Sequence, residues 1–314
     1  MLPVPNGPSM LHLMIGWRCN LACVQCYERH RIAAGSTPRT ELTAADVAAI
    51  LRMYQGTLRS VNVSGHGEPQ MHPEYDAIVE AIKTIQPAGG WDFVNTNVNG
   101  MFLHAHSGLL DLPGMFTVSF DSYDKTTFEG LRRGSIFDLI VTNLRAARRR
   151  QNHPRRQLGI NMTVICRNVA DIYGTLAFAA NEGLDYASVS RAVHLEQSDA
   201  KDLGVEADDP RAIEQLARAR RDFPQLNIAV HYFKGATSTR GCGGRDVCRM
   251  PWSEMLVFND GGIRPCCFSL ETNLGPWSTV HWTGAEYTAL RQALEAGQLA
   301  EYPACAHCPI ADGF

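Results

Sequence analysis

Six short strand-like runs alternate with helical stretches through most of the chain, and this rhythm leaves few folds open. The runs are 11–15, 60–64, 91–95, 115–120, 158–164 and 186–189. Thr43 is placed to N-cap a helix that reaches Gln55. Pro73 opens another, with Ile78, Val79, Ile82 and Ile85 on one face. Residues 136–150 and 169–181 read as further helices, the last ended by Gly183. Strand-then-helix repetition predicts an α/β fold with a parallel sheet covered by helices. Functional residues then belong at the C-terminal ends of the strands. Polar segments do follow the runs: a cysteine loop after the first, Gly65-His66-Gly67-Glu68-Pro69 after the second, Thr96-Asn97-Val98-Asn99-Gly100 after the third. Asp121-Ser122 follows the fourth and Arg191 the sixth.

Ten cysteines in 314 residues are the second constraint. No apolar run approaches the ~20 residues that span a bilayer. Residues 1–10 are Pro-rich without a basic-then-apolar signal pattern, so the expected compartment is the cytoplasm. A reducing compartment disfavours structural disulfides, and clustered cysteines there read as metal ligands or catalytic groups. A net charge of −3 gives no pull toward nucleic acid or an anionic membrane. The basic run Arg145, Arg148, Arg149, Arg150, Arg155, Arg156 reads as a solvated helix end. His104 and His106 read as loop residues, and the isolated Cys166 as a buried small hydrophobe.

The segment Cys19-Asn20-Leu21-Ala22-Cys23-Val24-Gln25-Cys26-Tyr27 has the spacing C-x3-C-x2-C. Thiolates bind iron or zinc strongly, and a short loop can wrap three of them around one centre. A four-iron cluster needs four ligands, so such a loop leaves one iron open; a zinc loop is the alternative. This stretch resembles the signature of the radical S-adenosylmethionine superfamily. The resemblance implies that Cys19, Cys23 and Cys26 hold a 4Fe-4S cluster and that S-adenosylmethionine chelates the open iron. Tyr27 fits the family pattern. Gly67, Glu68 and Pro69 match the turn that holds the cofactor's amino group, although His66 stands where the family's first glycine is usual. Ser119 and Asp121 match positions near its ribose and methionine parts, and Thr96, Asn97 and Arg191 have comparable placements. The fold implied is a partial (β/α)6 TIM-type barrel.

Residues 198–210 turn acidic and small; 211–223 read as a helix, 226–232 as a strand, and glycines accumulate over 235–244. Beyond them, Asn259-Asp260-Gly261-Gly262 between apolar segments signals a hairpin that would bring Cys248 near Cys266. A helix over 284–296 precedes Cys305-Ala306-His307-Cys308, a metal-knuckle spacing. Four cysteines so arranged resemble the shortened, twitch form of the family's SPASM-type auxiliary domain. That implies a second 4Fe-4S cluster on Cys248, Cys266, Cys305 and Cys308; a structural zinc site is the alternative. The expected domains are 1–234, the barrel, and 235–314, a small β-hairpin/helix auxiliary domain. Cys242 and Cys267 are left over. A thiol beside a cluster can give a hydrogen atom to a substrate radical, and Cys267 is the preferred donor.

The resemblance implies a 5′-deoxyadenosyl radical that abstracts hydrogen from an unactivated C–H, with flavodoxin or ferredoxin as the kind of electron donor needed. Twitch members of this size act on aminocyclitols and aminoglycosides. The expected substrate is therefore small, polar and sugar-like, and the expected reaction is epimerisation of a carbinol carbon in antibiotic biosynthesis. Dehydrogenation of the same substrates is the alternative, and peptide maturation the rival. A non-enzymatic electron carrier is disfavoured, because it needs no cofactor turn at Gly67-Glu68-Pro69.

Overall fold

Alternation along the strands builds two unlike faces. In β1 (Met10–Met14) Leu11 and Leu13 are fully buried, whereas Met10, His12 and Met14 are only partly so. The same two-residue period runs through β2 (Ser60–Ser64), β3 (Phe93–Val98), β4 (Gly114–Ser119), β5 (Arg156–Val164), β6 (Tyr186–Arg191) and β7 (Asn227–His231). One face carries Val61, Val63, Val94, Phe116, Val118, Ile160, Met162 and Val189, in a single apolar core with the helices. The helices over it are α2 (Ala44–Tyr54), α3 (Tyr75–Thr84), α5 (Phe137–Arg150), α6 (Ile172–Asn181) and α7 (Pro210–Asp222). Between them, α1 (Tyr27–Ala33) follows the cysteine loop and α4 (Lys125–Leu131) follows β4. The protein is described by a computed structural model covering residues 2–35, 38–150, 153–193, 198–233, 248–266 and 272–306.

Strands β1 to β7 are parallel and lie in sequence order. The sheet also continues past β1. Strand β8 (Glu254–Val257) pairs parallel to it, with Met10 opposite Glu254 and His12 opposite Leu256. Strands β9 (Gly262–Arg264) and β10 (Gly275–Pro276) complete an antiparallel ribbon. The described strands thus form one ten-stranded sheet with β10 and β7 at its edges. The expected hairpin is present, and it extends the barrel sheet directly. Short α8 (Met250–Ser253), α9 (Ala285–Ala296) and α10 (Pro303–Ala306) pack at that end around Trp252, Leu290, Leu294 and Tyr302.

Several expectations need correction. Thr96 and Asn97 lie within β3 and Arg191 within β6, not after them, whereas Ser119 ends β4 inside the run expected to be a strand. Polar residues alternating with apolar ones look like turns in the sequence, but here they continue the strands, Asn97 and Ser119 on the uncovered face and Thr96 on the covered one. Cys166 is exposed. Arg156 is buried and donates to the carbonyls of Val94 and Leu109, whereas Arg145, on the exposed helix end, pairs with Glu182 at 2.6 Å. Among the described residues, no helix is long and apolar enough to cross a membrane.

Candidate active site

The cysteine loop leaves β1 and is held on two sides by backbone. His66 N donates to the Gly16 carbonyl at 3.0 Å and Glu68 N to that of Arg18 at 2.7 Å. On the other side, Ala22 N donates to Arg133 O at 2.8 Å and Val24 N to Leu131 O at 2.9 Å. The approach to the β2 turn is too close for a side chain at position 67. A Cβ there would lie 2.0 Å from the Arg18 carbonyl oxygen and 2.5 Å from that of Trp17. Cys26 ends the loop as the N-cap of α1, its sulfur accepting from Arg29 N at 3.3 Å. Cys19 accepts from Leu21 N at 3.5 Å. Tyr27 opens α1, with the Arg31 guanidinium over its ring.

Burial pushes the Cys23 thiol up to about 12, opposed by the Arg132 cation, and raises Cys19 and Cys26 as well. A metal centre offsets that cost by stabilising thiolates. Three sulfurs on one eight-residue turn fit the cluster the motif implies. Among the described residues, no three His, Cys, Asp or Glu side chains gather around a single-ion point. A four-iron cluster does not require it, since each thiolate binds a different iron.

Glu68 is 5 % exposed, and its carboxylate is already oriented. Asn99 N donates to Oε2 at 2.5 Å and Gln70 N to Oε1 at 3.1 Å. Asn99 also reaches the cysteine loop, its side-chain amide donating to Asn20 Oδ1 at 2.8 Å. His66, in the place of a glycine, turns its ring away from this turn. Its Nδ1 is 2.6 Å from Glu28 Oε2, and it packs on Phe258 with centroids 4.2 Å apart. The departure from the family pattern therefore connects the cysteine loop to the C-terminal ribbon.

Other candidates are placed differently from one another. Ser119 and Asn97 share the uncovered face, the serine hydroxyl donating to Asn97 Oδ1 at 3.1 Å. Thr96 faces the helices instead, donating to Val63 O at 2.9 Å, because it is one residue out of phase with Asn97. Arg191 Nε donates to Tyr232 O at 2.9 Å, bracing β6 to the end of β7. Asp121 is fully buried. Its carboxylate accepts from Gln25 at 2.6 Å and Thr163 N at 2.8 Å, and lies 2.7 Å from Arg132 Nε. It is thus a brace under the cysteine loop. Gln25, Asn99 and Arg132 escaped the sequence reading because nothing in spacing marks a buried polar brace.

At the C-terminal end, Cys248 and Cys305 both pack on the Trp252 cluster. Cys266 lines a small hollow with His12, Met250, Glu254, Leu256 and Pro265. Cys308, Cys267 and Cys242 lie outside the described residues, as does the expected domain boundary at 234–235.

Fold, cysteine loop and glutamate turn define an enzyme class, and the chain belongs to the Radical SAM superfamily, whose family model matches residues 14–179. Members use a 4Fe-4S cluster and S-adenosylmethionine. A probable GTP 3',8-cyclase of Methanopyrus kandleri is 30% identical over 142 residues, 44% of this chain and 42% of that protein. A GTP 3',8-cyclase of Limosilactobacillus fermentum is 24% identical over 132 residues, 41% of this chain and 39% of that protein. The chain thus spans about half or less of the length of these curated relatives. Streptococcus suis SuiB bound to S-adenosylmethionine superposes with a TM-score of 0.70 at 17% identity, over 97% of this chain and 71% of that one. Native anSMEcpe with bound AdoMet and Kp18Cys peptide gives 0.70 at 13% identity, over 97% and 91%. Both structures support the fold.

Burial moves Glu68 up to about 7 against the hydrogen bonds of Asn99 and Gln70. Between an unfolded value of 4.5 and that point, the folded chain keeps a proton the unfolded chain has lost. Stability therefore falls as pH rises across this window, by about 3 kcal/mol in all, and levels off above it. Urea unfolding at about pH 5 and about pH 8 should show this loss, and Glu68→Gln should remove most of it. An equal slope in the variant would assign the pH dependence elsewhere.

Proposed function

We propose that the protein inverts a carbinol carbon of an aminoglycoside- or aminocyclitol-type molecule by radical chemistry. The carrying observation is the uncovered face of the parallel strands. It presents Asn62, Ser64, Asn95, Asn97, Thr117, Ser119, Asn161, Thr163, Ser188 and Ser190, with Met10, Met14, Phe93, Met115 and His231 among them, and no Asp, Glu, Lys or Arg on this face, since Arg156 and Arg191 lie on the covered one. Beside these neutral groups, at the β1–β8 seam, His12 Nε2 lies 2.6 Å from Glu254 Oε2. Hydroxyls and amides of this kind pair with a polyol, and Glu254 offers charge for an amine. A nucleoside triphosphate, the substrate class in the curated relatives' names, calls for cations instead.

The bound cofactors supply the 5′-deoxyadenosyl radical. In this reading Cys19, Cys23 and Cys26 hold the cluster, and Glu68 orients the amino group of S-adenosylmethionine. Ser119 and Asn97 lie on the uncovered face of the sheet. The thiol of Cys267 gives its hydrogen atom to the substrate carbon from the opposite face. The resulting thiyl is restored by one electron and one proton. Cys248, Cys266, Cys305 and Cys308 would hold a second, twitch-type 4Fe-4S cluster, which would supply a route for that electron from a flavodoxin or ferredoxin. The second reading is maturation of a peptide, favoured by the solved neighbours, among them SuiB bound to precursor peptide SuiA.

Incubation with candidate aminoglycosides in heavy water tests the proposal. The expected product keeps the substrate's mass in ordinary water and gains one deuteron in heavy water. Cys267→Ala should stop product formation while 5′-deoxyadenosine still accumulates. A product lighter by two hydrogens would favour dehydrogenation.

A further inference from the structure

We propose that Arg132 is a positioning residue that sets the reduction potential of the cluster held by Cys19, Cys23 and Cys26. The inference rests on the cluster assignment above. Arg132 caps the end of α4, its backbone N–H donating to Phe128 O at 2.8 Å, in the segment 131–133 whose carbonyls pair with the cysteine loop. Its Nη1 donates to Cys23 Sγ at 4.0 Å, and its Nε lies 2.7 Å from Asp121 Oδ2. The side chains of Arg132 and Asp121 are 10 % and 0 % exposed, so the charges are little screened by salt. Asp121 in turn holds Gln25, between the second and third cysteines, and the end of β5 through Thr163 N.

Reduction adds one negative charge to a cluster already carrying thiolates. A buried cation on one ligand sulfur favours the reduced form, and hydrogen bonds to sulfur act in the same direction. Asp121 contacts the guanidinium through Nε, while a different nitrogen, Nη1, makes the sulfur contact, so the carboxylate moderates the field without taking the donor that reaches Cys23. Gln25 ties the moderating carboxylate to the loop itself, so cation, counter-ion and cluster ligands form one unit.

Anaerobic reconstitution followed by EPR-monitored redox titration tests this, with iron and sulfide counted first. In wild type, absence of any cluster would overturn both the assignment and this inference. With a cluster present, Arg132→Gln should shift the midpoint to more negative potential, and Arg132→Lys, which keeps the charge, should stay near wild type. Asp121→Asn keeps the cation without its counter-ion and should shift the midpoint the opposite way. A merely structural brace predicts lower cluster content in the variants with an unchanged midpoint in what remains, and that result would overturn the proposal. Should Arg132→Gln hold no cluster, Asp121→Asn decides: a positive shift supports it and an unmoved midpoint refutes it.

Discussion

Replacing Gly67 with alanine is expected to destabilise the protein by about 3 kcal/mol and to weaken S-adenosylmethionine binding sharply. The added methyl would sit 2.0 Å from the Arg18 carbonyl oxygen, a backbone atom that cannot swing away like a side-chain tip. Relief requires separating the β2 turn from the loop that leaves β1. Separation breaks the hydrogen bond from Glu68 N to Arg18 O and moves the Glu68 carboxylate with it. Gly56 provides the control, since a methyl there meets nothing within 4 Å. Urea midpoints of Gly67→Ala and Gly56→Ala, with ligand binding by equilibrium dialysis, should differ strongly. Similar behaviour would mean that the loop and the turn are not packed as described.

Replacing Cys26 with serine should abolish cluster binding while leaving the fold nearly intact. The sulfur of Cys26 has two tasks, since it also caps α1 by accepting from Arg29 N. A serine hydroxyl is a good N-cap but a poor soft-metal ligand, so the substitution separates them. Losing an outer-shell partner costs roughly 10- to 100-fold in metal affinity, and loss of a ligand itself should exceed that. Iron content should fall to background and 5′-deoxyadenosine formation with it. The metal-free unfolding midpoint should move by less than about 1 kcal/mol. A serine variant that still assembles the full cluster would remove Cys26 from the ligand set.

Much of this was readable before any coordinates, and the reasons are physical. Helix N-caps are local, so Thr43 caps α2 as its sequence predicts, and the structure adds a capping box with Asp46. Core-facing valines and leucines repeat every second residue, which exposed the strands. The same period misled at Thr96 and Asn97, because Asn97 belongs to a polar uncovered face and Thr96 is a polar residue turned to the core, and neither marks a turn. The short α4 was missed: seven residues containing two adjacent threonines carry little helical signal. Its end nevertheless forms the platform for the cysteine loop. Arg132 and Asp121 meet only through tertiary structure, as do His66 and Phe258, so neither pairing has a sequence signature. The continuity of β8 with β1 joins residues more than two hundred positions apart, beyond the reach of any local pattern.

The most direct test is anaerobic reconstitution of the wild-type chain with iron and sulfide, followed by reduction in the presence of S-adenosylmethionine. The account predicts charge-transfer absorption from the thiolate-bound iron and release of 5′-deoxyadenosine and methionine. A chain that takes up zinc in preference to iron, or that assembles a cluster and leaves S-adenosylmethionine whole, would contradict it.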